Sequence, residues 1–416
     1  MHTTWALLLF ALASGLGLHF LRGRVVDHRY LLCFGLMFYL VVPFHAFGSG
    51  IYWGGPGHDI WERAFEPIYE QGAAVLATAL VFVVAFLAAD RIPVPPHARV
   101  VVDRPFTAPL LWLAFAGLSA LCAAYAWQAR ELLFSGYLLD YRPDLLGPLA
   151  SVNLAALLLL LNVAQWRQSR RLLWAFGALL AINSVVLLSM GGRLYVAAPL
   201  VGLTLMALDS PRGRLPSSRA LALLVALLVG VVFVLVGLLR VDMDVDLATA
   251  FPLLLAEPLL TSVSLGTLLD CPIVDWFAVP ANYASSIINL IPSGVLPRKE
   301  ELMVDLDPGG NCLAAPFGAT HLATALLVNF GWLGGLLVVM SFAWAMNAIR
   351  GRRGWWLYYY LCSLVPFMLF RDGFLIFNKA FFGTGLLLGL TMSVLSRSRQ
   401  DTALLEGQPA GVQAPR

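Results

Sequence analysis

Among the basic residues that lie outside this chain's arginine-rich segments, five invite a chemical reading: Arg193, Arg240, Arg298, Lys299 and Arg371. A guanidinium grips a phosphate through two parallel N–H donors, and an ammonium binds it as a point charge. His321 opens an apolar run. With an ordinary pKa of about 6.5, a histidine there suits a general base or a hydrogen-bond donor. Asp270, Asp275 and Glu257 are the acids that could share that role. Together these residue types fit chemistry on an anionic, phosphate-bearing substrate.

Each has a plainer reading beside that one. Arg193 can snorkel to lipid headgroups or pair with an acid. Arg240 is followed by Asp242, Asp244 and Asp246, which can pair with it. The same alternating aspartates could ligate a divalent ion, but they lack the glycine and distal glutamate of a calcium loop, and a solvated acidic rim explains them equally. Arg298-Lys299 runs into Glu300-Glu301 and reads as a solvated charge run, while Arg371 and Asp372 can pair with each other. A lone helical histidine is often a structural hydrogen-bond partner.

The elements that must position these residues are membrane helices. The chain has 416 residues, 60% hydrophobic and only 12% charged, with a mean hydropathy of +0.80. No soluble domain of this size is so apolar. Apolar runs of about 18 to 20 residues recur, each long enough to cross a hydrocarbon core of roughly 30 Å. The formal net charge of +3 hides a segregation. Six connecting or trailing segments carry three arginines each: Arg22, Arg24, Arg29; Arg91, Arg99, Arg104; Arg167, Arg170, Arg171; Arg212, Arg214, Arg219; Arg350, Arg352, Arg353; and Arg397, Arg399, Arg416. Every second connection is basic, which is the positive-inside pattern of a multi-pass inner-membrane protein.

The pattern predicts an all-α polytopic protein with eleven spans, near 4–21, 30–47, 73–89, 107–126, 147–165, 172–190, 194–208, 220–239, 321–346, 355–371 and 375–396. It places the N-terminus outside and the C-terminus in the cytoplasm. Four regions follow: helices 1–8 over 1–239, one large outer loop over 240–320, helices 9–11 over 321–396, and a polar, disordered tail over 397–416. The N-terminus has no basic n-region or cleavage site, so the first run reads as a retained helix.

The large loop holds two apolar stretches too short to span, Pro252 to Leu269 and Tyr283 to Ile291. They read as helices lying at the interface or re-entering the bilayer over a cavity. Cys271 and Cys312 both fall in this loop. An oxidising compartment would permit a bridge between them, and two free thiols remain the alternative. Lysine is nearly absent, occurring at Lys299 and Lys379 alone. Phosphate-loop, dinucleotide and metal-ligand motifs are absent. Nucleotide-driven transport by this chain is therefore not expected, and no metal or other cofactor is called.

Three pieces carry a family resemblance. Gly191-Gly192-Arg193 makes a tight turn between two middle helices, one long outer loop comes late, and Gly318-Ala319-Thr320-His321 leads into Asn329-Phe330-Gly331-Trp332-Leu333-Gly334-Gly335. In this order, over roughly 175–345, the chain resembles the O-antigen polymerase (Wzy-type) and O-antigen ligase families, multi-pass bacterial enzymes of the GT-C kind. Ile291-Pro292 and Leu296-Pro297-Arg298-Lys299 look more like the repeat-unit polymerases. The acid that ligases often carry before the glycines is missing.

The resemblance implies glycosyl transfer at the periplasmic face. The donor would be an oligosaccharide on undecaprenyl diphosphate. Arg193, Arg240, Arg298, Lys299 and Arg371 would hold the diphosphate, and His321, Asp270 and Asp275 would be catalytic. The expected partners are the lipid-linked glycan, the bilayer, and flippase and chain-length-regulator proteins, with no nucleic acid. The product would be O-antigen of lipopolysaccharide, capsule or exopolysaccharide. A transporter of lipid-linked or anionic solutes is the reading from another class. It would favour mid-helix charges and inverted repeats, which the chain does not display.

Overall fold

The computed structural model describes residues 28–41, 71–93, 105–133, 143–209, 258, 260–271, 274–291, 295–306, 313, 320–350, 356–363, 365, 374 and 377–396. Among these residues the secondary structure is helical, with no strand. The helices are α1 (His28–Leu36, continued as a π-turn over Met37–Val41), α2 (Gly72–Ala89), α3 (Ala108–Gln128), α4 (Pro143–Gln165), α5 (Arg170–Ser189) and α6 (Arg193–Asp209). They are followed by α7 (Leu260–Leu269), α8 (Ala281–Ile288), α9 (Leu322–Arg350) and α10 (Trp356–Leu361), and by α11 (Asn378–Ser396).

Six of the described helices are long and apolar enough to cross a membrane: α2, α3, α4 from Leu145, α5, α9 and α11. α6, at the expected span 194–208, and α7 are shorter apolar helices. The spans expected at 4–21 and 220–239, and the tail 397–416, lie outside the described residues. So does most of the loop before α7. An apolar helix suits a bilayer because it satisfies its backbone internally. The α2 sequence, GAAVLATALVFVVAFLAA, carries no charge.

α4 is the central helix and is almost wholly enclosed, whereas α3 lies at the edge and shows Trp112, Leu113, Leu121 and Trp127 outward. Buried amides tie α4 to its neighbours. Asn183 Nδ2 donates to Leu149 O at 2.8 Å and to Asn153 Oδ1 at 3.1 Å, and Asn153 Nδ2 donates to Tyr195 O at 3.0 Å. Such interhelical bonds average about 0.6 kcal/mol each in a bilayer protein.

The helices alternate in direction, so the described connections sort to two ends. Arg29, Arg91, Arg167, Arg170, Arg171 and Arg350 lie at one, the arginine-rich end. Gln71, the Gly191–Arg193 turn, α8 and the start of α11 lie at the other, the loop end. The arginine-rich end is clamped by a buried charge cluster. His28 Nε2 sits 2.8 Å from Asp90 Oδ1, Arg29 donates to Asp90 Oδ2 at 3.1 Å, and Tyr359 Oη lies 3.3 Å from His28 Nδ1. Asn347 Nδ2 donates to the Asp90 carbonyl at 2.6 Å, which joins α9 to the same knot.

Candidate functional site

α9 is 29 residues long, about 44 Å at 1.5 Å per residue and more than a hydrocarbon core needs. It is not continuous. Gly331 has φ 71° and ψ −174°, a backbone conformation that L side chains rarely adopt. The break frees N–H groups that a regular helix would use itself. The loop before α8 fills them: Trp332 N donates to Asp275 O at 3.1 Å and Leu333 N to Trp276 O at 3.0 Å. A Cβ at Gly331 would lie 2.5 Å from Asp275 O and 2.7 Å from Trp276 C. Only glycine fits so close an approach.

Two residues before the break, buried Asn329 does the complementary job. Its Oδ1 accepts from Tyr283 N at 2.7 Å, satisfying an orphan donor in the first turn of α8. Its Nδ2 donates to Ala325 O at 2.8 Å within α9. α8 is also stitched to the segment after it. Asn282 Nδ2 donates to Val304 O at 2.7 Å, and Val304 N donates to Ser285 Oγ at 3.1 Å. The short apolar stretch expected at Tyr283 to Ile291 is this helix, held across the loop end of α9.

The other short stretch contains α7, which is enclosed by protein. Thr261, Ser262 and Ser264 are buried. Ser262 Oγ donates to Tyr39 O at 3.1 Å, and Ser264 Oγ donates to Thr261 O at 2.8 Å. These hydroxyls let a short helix bury its polar atoms without water. Cys271, just past α7, is disulfide-bonded. That settles one of the two expected states of this cysteine.

His321 lies at the start of α9, 1% exposed. Its backbone N–H donates to Ser264 Oγ at 2.8 Å. Its Nδ1 accepts from Ala323 N at 3.1 Å, so the neutral ring carries its proton on Nε2. Nε2 is then the donor position of the ring, enclosed within the protein.

Beside it lies an apolar cleft of about 370 Å³ between α9 and the last helix. Leu322, next to His321, and Tyr283 line the loop end. Phe342 of α9 and Phe374, Phe377, Phe381 and Phe382 form its aromatic wall. α11 winds as a π-helix over Asn378–Leu388, and wide turns of this type recur at functional sites. Tyr283 packs on Phe374 at 4.8 Å and on Phe330 at 5.4 Å between ring centres, and burial raises its hydroxyl pKa.

The other candidate residues are dispersed around this end. Arg193 opens α6 after a turn in which Gly191 takes φ 90°, and among the described residues no carboxylate pairs with it. Asp270 accepts from Gln71 Nε2 on α2. Asp275 has an exposed side chain and uses its backbone carbonyl for the α9 break. Arg298 is 83% exposed and reaches Glu301 at 3.9 Å. Lys299 Nζ donates to the α8-end carbonyls of Asn289 and Ile291 at 3.3 and 3.1 Å. Arg240, Glu257 and Arg371 lie outside the described residues. Among the described residues no three His, Cys, Asp or Glu side chains converge on a metal position.

Reasoning from sequence missed three parts of this end: the break at Gly331, the capping role of Asn329, and Lys379, which the structure sets beside Tyr195 with Nζ 4.8 Å from the ring centre. Asn329 and Gly331 stood in the glycine-rich stretch already singled out. No signal marked which face of the last helix Lys379 would take. No family model, curated protein or solved structure matches the chain.

Proposed function

We propose that the chain is a membrane glycosyltransferase that polymerises oligosaccharide repeat units carried on undecaprenyl diphosphate. The observation that carries this reading is the apolar cleft, with its aromatic wall, ending at Leu322, the residue after His321, and at Tyr283 of α8. An isoprenoid tail needs an apolar slot reached from the bilayer, and its glycan needs a polar site at one end of that slot. The loop end supplies the cations Arg193 and Lys299 beside the acids Asp270 and Asp275, with Arg298 exposed at its surface.

In the reaction an acceptor hydroxyl oxygen bonds to the anomeric carbon of the donor sugar. The bond from that carbon to the diphosphate oxygen breaks, and the electron pair leaves with the lipid diphosphate. The cations stabilise that developing charge. His321 donates from Nε2 to orient the sugars, and Asp270 or Asp275 takes the hydroxyl proton. The site faces the periplasm of a bacterial inner membrane, in a GT-C-like bundle of eleven spans with a periplasmic N-terminus and a cytoplasmic C-terminus. The polymer is O-antigen, capsule or exopolysaccharide.

The test is Arg193→Ala and His321→Ala in the native host, with surface polysaccharide read on a gel beside a membrane blot. A single-repeat product at normal protein level supports polymerisation. Full-length polymer stranded on the lipid carrier would mean a ligase. An unchanged ladder would overturn both readings in favour of transport or a partner role.

A further inference from the structure

The sequence contains two lysines, Lys299 and Lys379. They come from different segments, one after α8 and one at the start of α11, yet both are tied to α8, Lys299 through carbonyls at its end and the neighbour of Lys379, Asn378, through Ser286. Lys299 is held there by two carbonyls at the end of α8. Lys379 is half-buried, with Nζ 4.8 Å from the centre of the Tyr195 ring. A Cβ at Gly147 would stand 3.5 Å from that Nζ, an ordinary contact distance, so the ammonium lies against α4. Tyr195 belongs to the first turn of α6, the turn that Arg193 opens. Among the described residues no carboxylate pairs with either lysine.

Two like charges in this setting repel, and among the described residues neither is paired with an acid. A lysine near the end of a membrane helix ordinarily snorkels to the interface, but Lys379 is held against the Tyr195 ring instead. The neighbour of Lys379 is informative too. Asn378 is fully buried and donates from Nδ2 to Ser286 Oγ at 2.7 Å, while its Oδ1 has no partner. A diphosphate joined to a sugar brings negative charge for the lysines and a hydroxyl for that oxygen.

We propose that Lys379 and Lys299 together bind the diphosphate of the lipid-linked substrate, at the end of α11 next to Arg193. This rests on the polymerase reading for the identity of the lipid, and it adds a binding residue from the last helix. Phe377, Phe381 and Phe382 of α11 line the cleft, while Lys379 turns to α4 and α6. α8 spans the interval, with Tyr283 at the cleft and the carbonyls of Asn289 and Ile291 at Lys299.

The test uses the purified full chain in phosphatidylcholine nanodiscs, titrated with farnesyl diphosphate and with farnesol. The wild type binds the diphosphate at least tenfold more tightly than the alcohol. Lys379→Gln loses that tenfold preference and Lys379→Arg keeps most of it. Lys299→Gln, at the surface, gives the same loss if the Lys379 variant does not fold. Unchanged diphosphate binding in both glutamine variants overturns the proposal. So does a loss that appears only for phosphatidylglycerol added to the discs, which would make the site one for bilayer headgroups. The assay is independent of polymer synthesis. A chain that binds farnesyl diphosphate through Lys379, yet makes normal polymer as Arg193→Ala and His321→Ala, has the anion site without the polymerase activity.

Discussion

The two ends of the bundle handle polar groups in opposite ways. At the arginine-rich end, His28, Asp90, Arg29 and Tyr359 answer one another, and the His28 and Asp90 side chains are almost sealed from solvent. At the loop end, neutral amides and hydroxyls do the holding: Asn329, Asn282, Ser285 and Ser264. The cations there, Arg193, Lys299 and Lys379, pair with no carboxylate among the described residues. Charges that neutralise one another fix helices. Charges left uncompensated beside a cleft are available to a ligand.

The largest effect is expected where the compensated end is broken. Asp90→Ala leaves His28 and Arg29 without their shared acceptor. Removing one partner of a buried ion pair costs about 3 to 5 kcal/mol. Thermal unfolding in detergent should show it, with polymer yield per folded molecule unchanged. A yield that falls while stability holds would move function to the arginine-rich end and end the contrast.

Gly331→Ala comes next. It forces a side chain into a positive-φ site with Asp275 O only 2.5 Å away. Strain of this kind costs about 1 to 3 kcal/mol, and the clash with backbone adds to it. The loop over 275–277 should come off α9, seen as faster proteolysis after α7. An unaltered digest would mean that the loop does not depend on the break.

Asn329→Ala tests the amide stitching more gently. Tyr283 N loses its acceptor in a half-buried place, a cost of about 1 to 3 kcal/mol for a donor left unsatisfied. Stability should fall by that amount and polymer yield further still, because α8 closes the cleft end. Equal, proportionate losses would reduce Asn329 to a packing residue.

How much of this was legible in advance follows from range. The arginine triplets sort to one end wherever the structure describes them, because charge placement at helix ends is written locally. α8 was legible too, since a short apolar run closed by Pro292 cannot span. The break in α9 was not. Gly331 stands in a run of apolar residues and glycines, and only the docked carbonyls of Asp275 and Trp276 reveal why it must be glycine. The His28–Asp90 pair was equally hidden. Each residue alone looks like an ordinary polar cap at a helix end, and their partnership bridges 62 positions. The placement of Lys379 against Tyr195 was not legible, because one lysine on an apolar helix does not state which neighbour it faces. His321 was found by its place at a helix start, but its tautomer depends on Ala323 N, a backbone contact no spacing rule supplies.

The smallest effect separates two adjacent residues that sequence grouped together. Arg298 is 83% exposed, and its partner Glu301 is 68% exposed at 3.9 Å. An exposed pair with that geometry contributes less than about 0.5 kcal/mol. Lys299 is pinned by two carbonyls at the end of α8, the helix that also binds Asn378 beside Lys379. Arg298→Gln should therefore leave both stability and diphosphate binding close to wild type, whereas Lys299→Gln keeps stability and loses binding. The pair is informative because the loop, the sign of the charge and the replacement are the same, while the way the charge is held differs. If Arg298→Gln loses binding as Lys299→Gln does, the phosphate contact lies on the solvent side of the loop. What makes a cation functional at this end would then be its charge rather than its confinement.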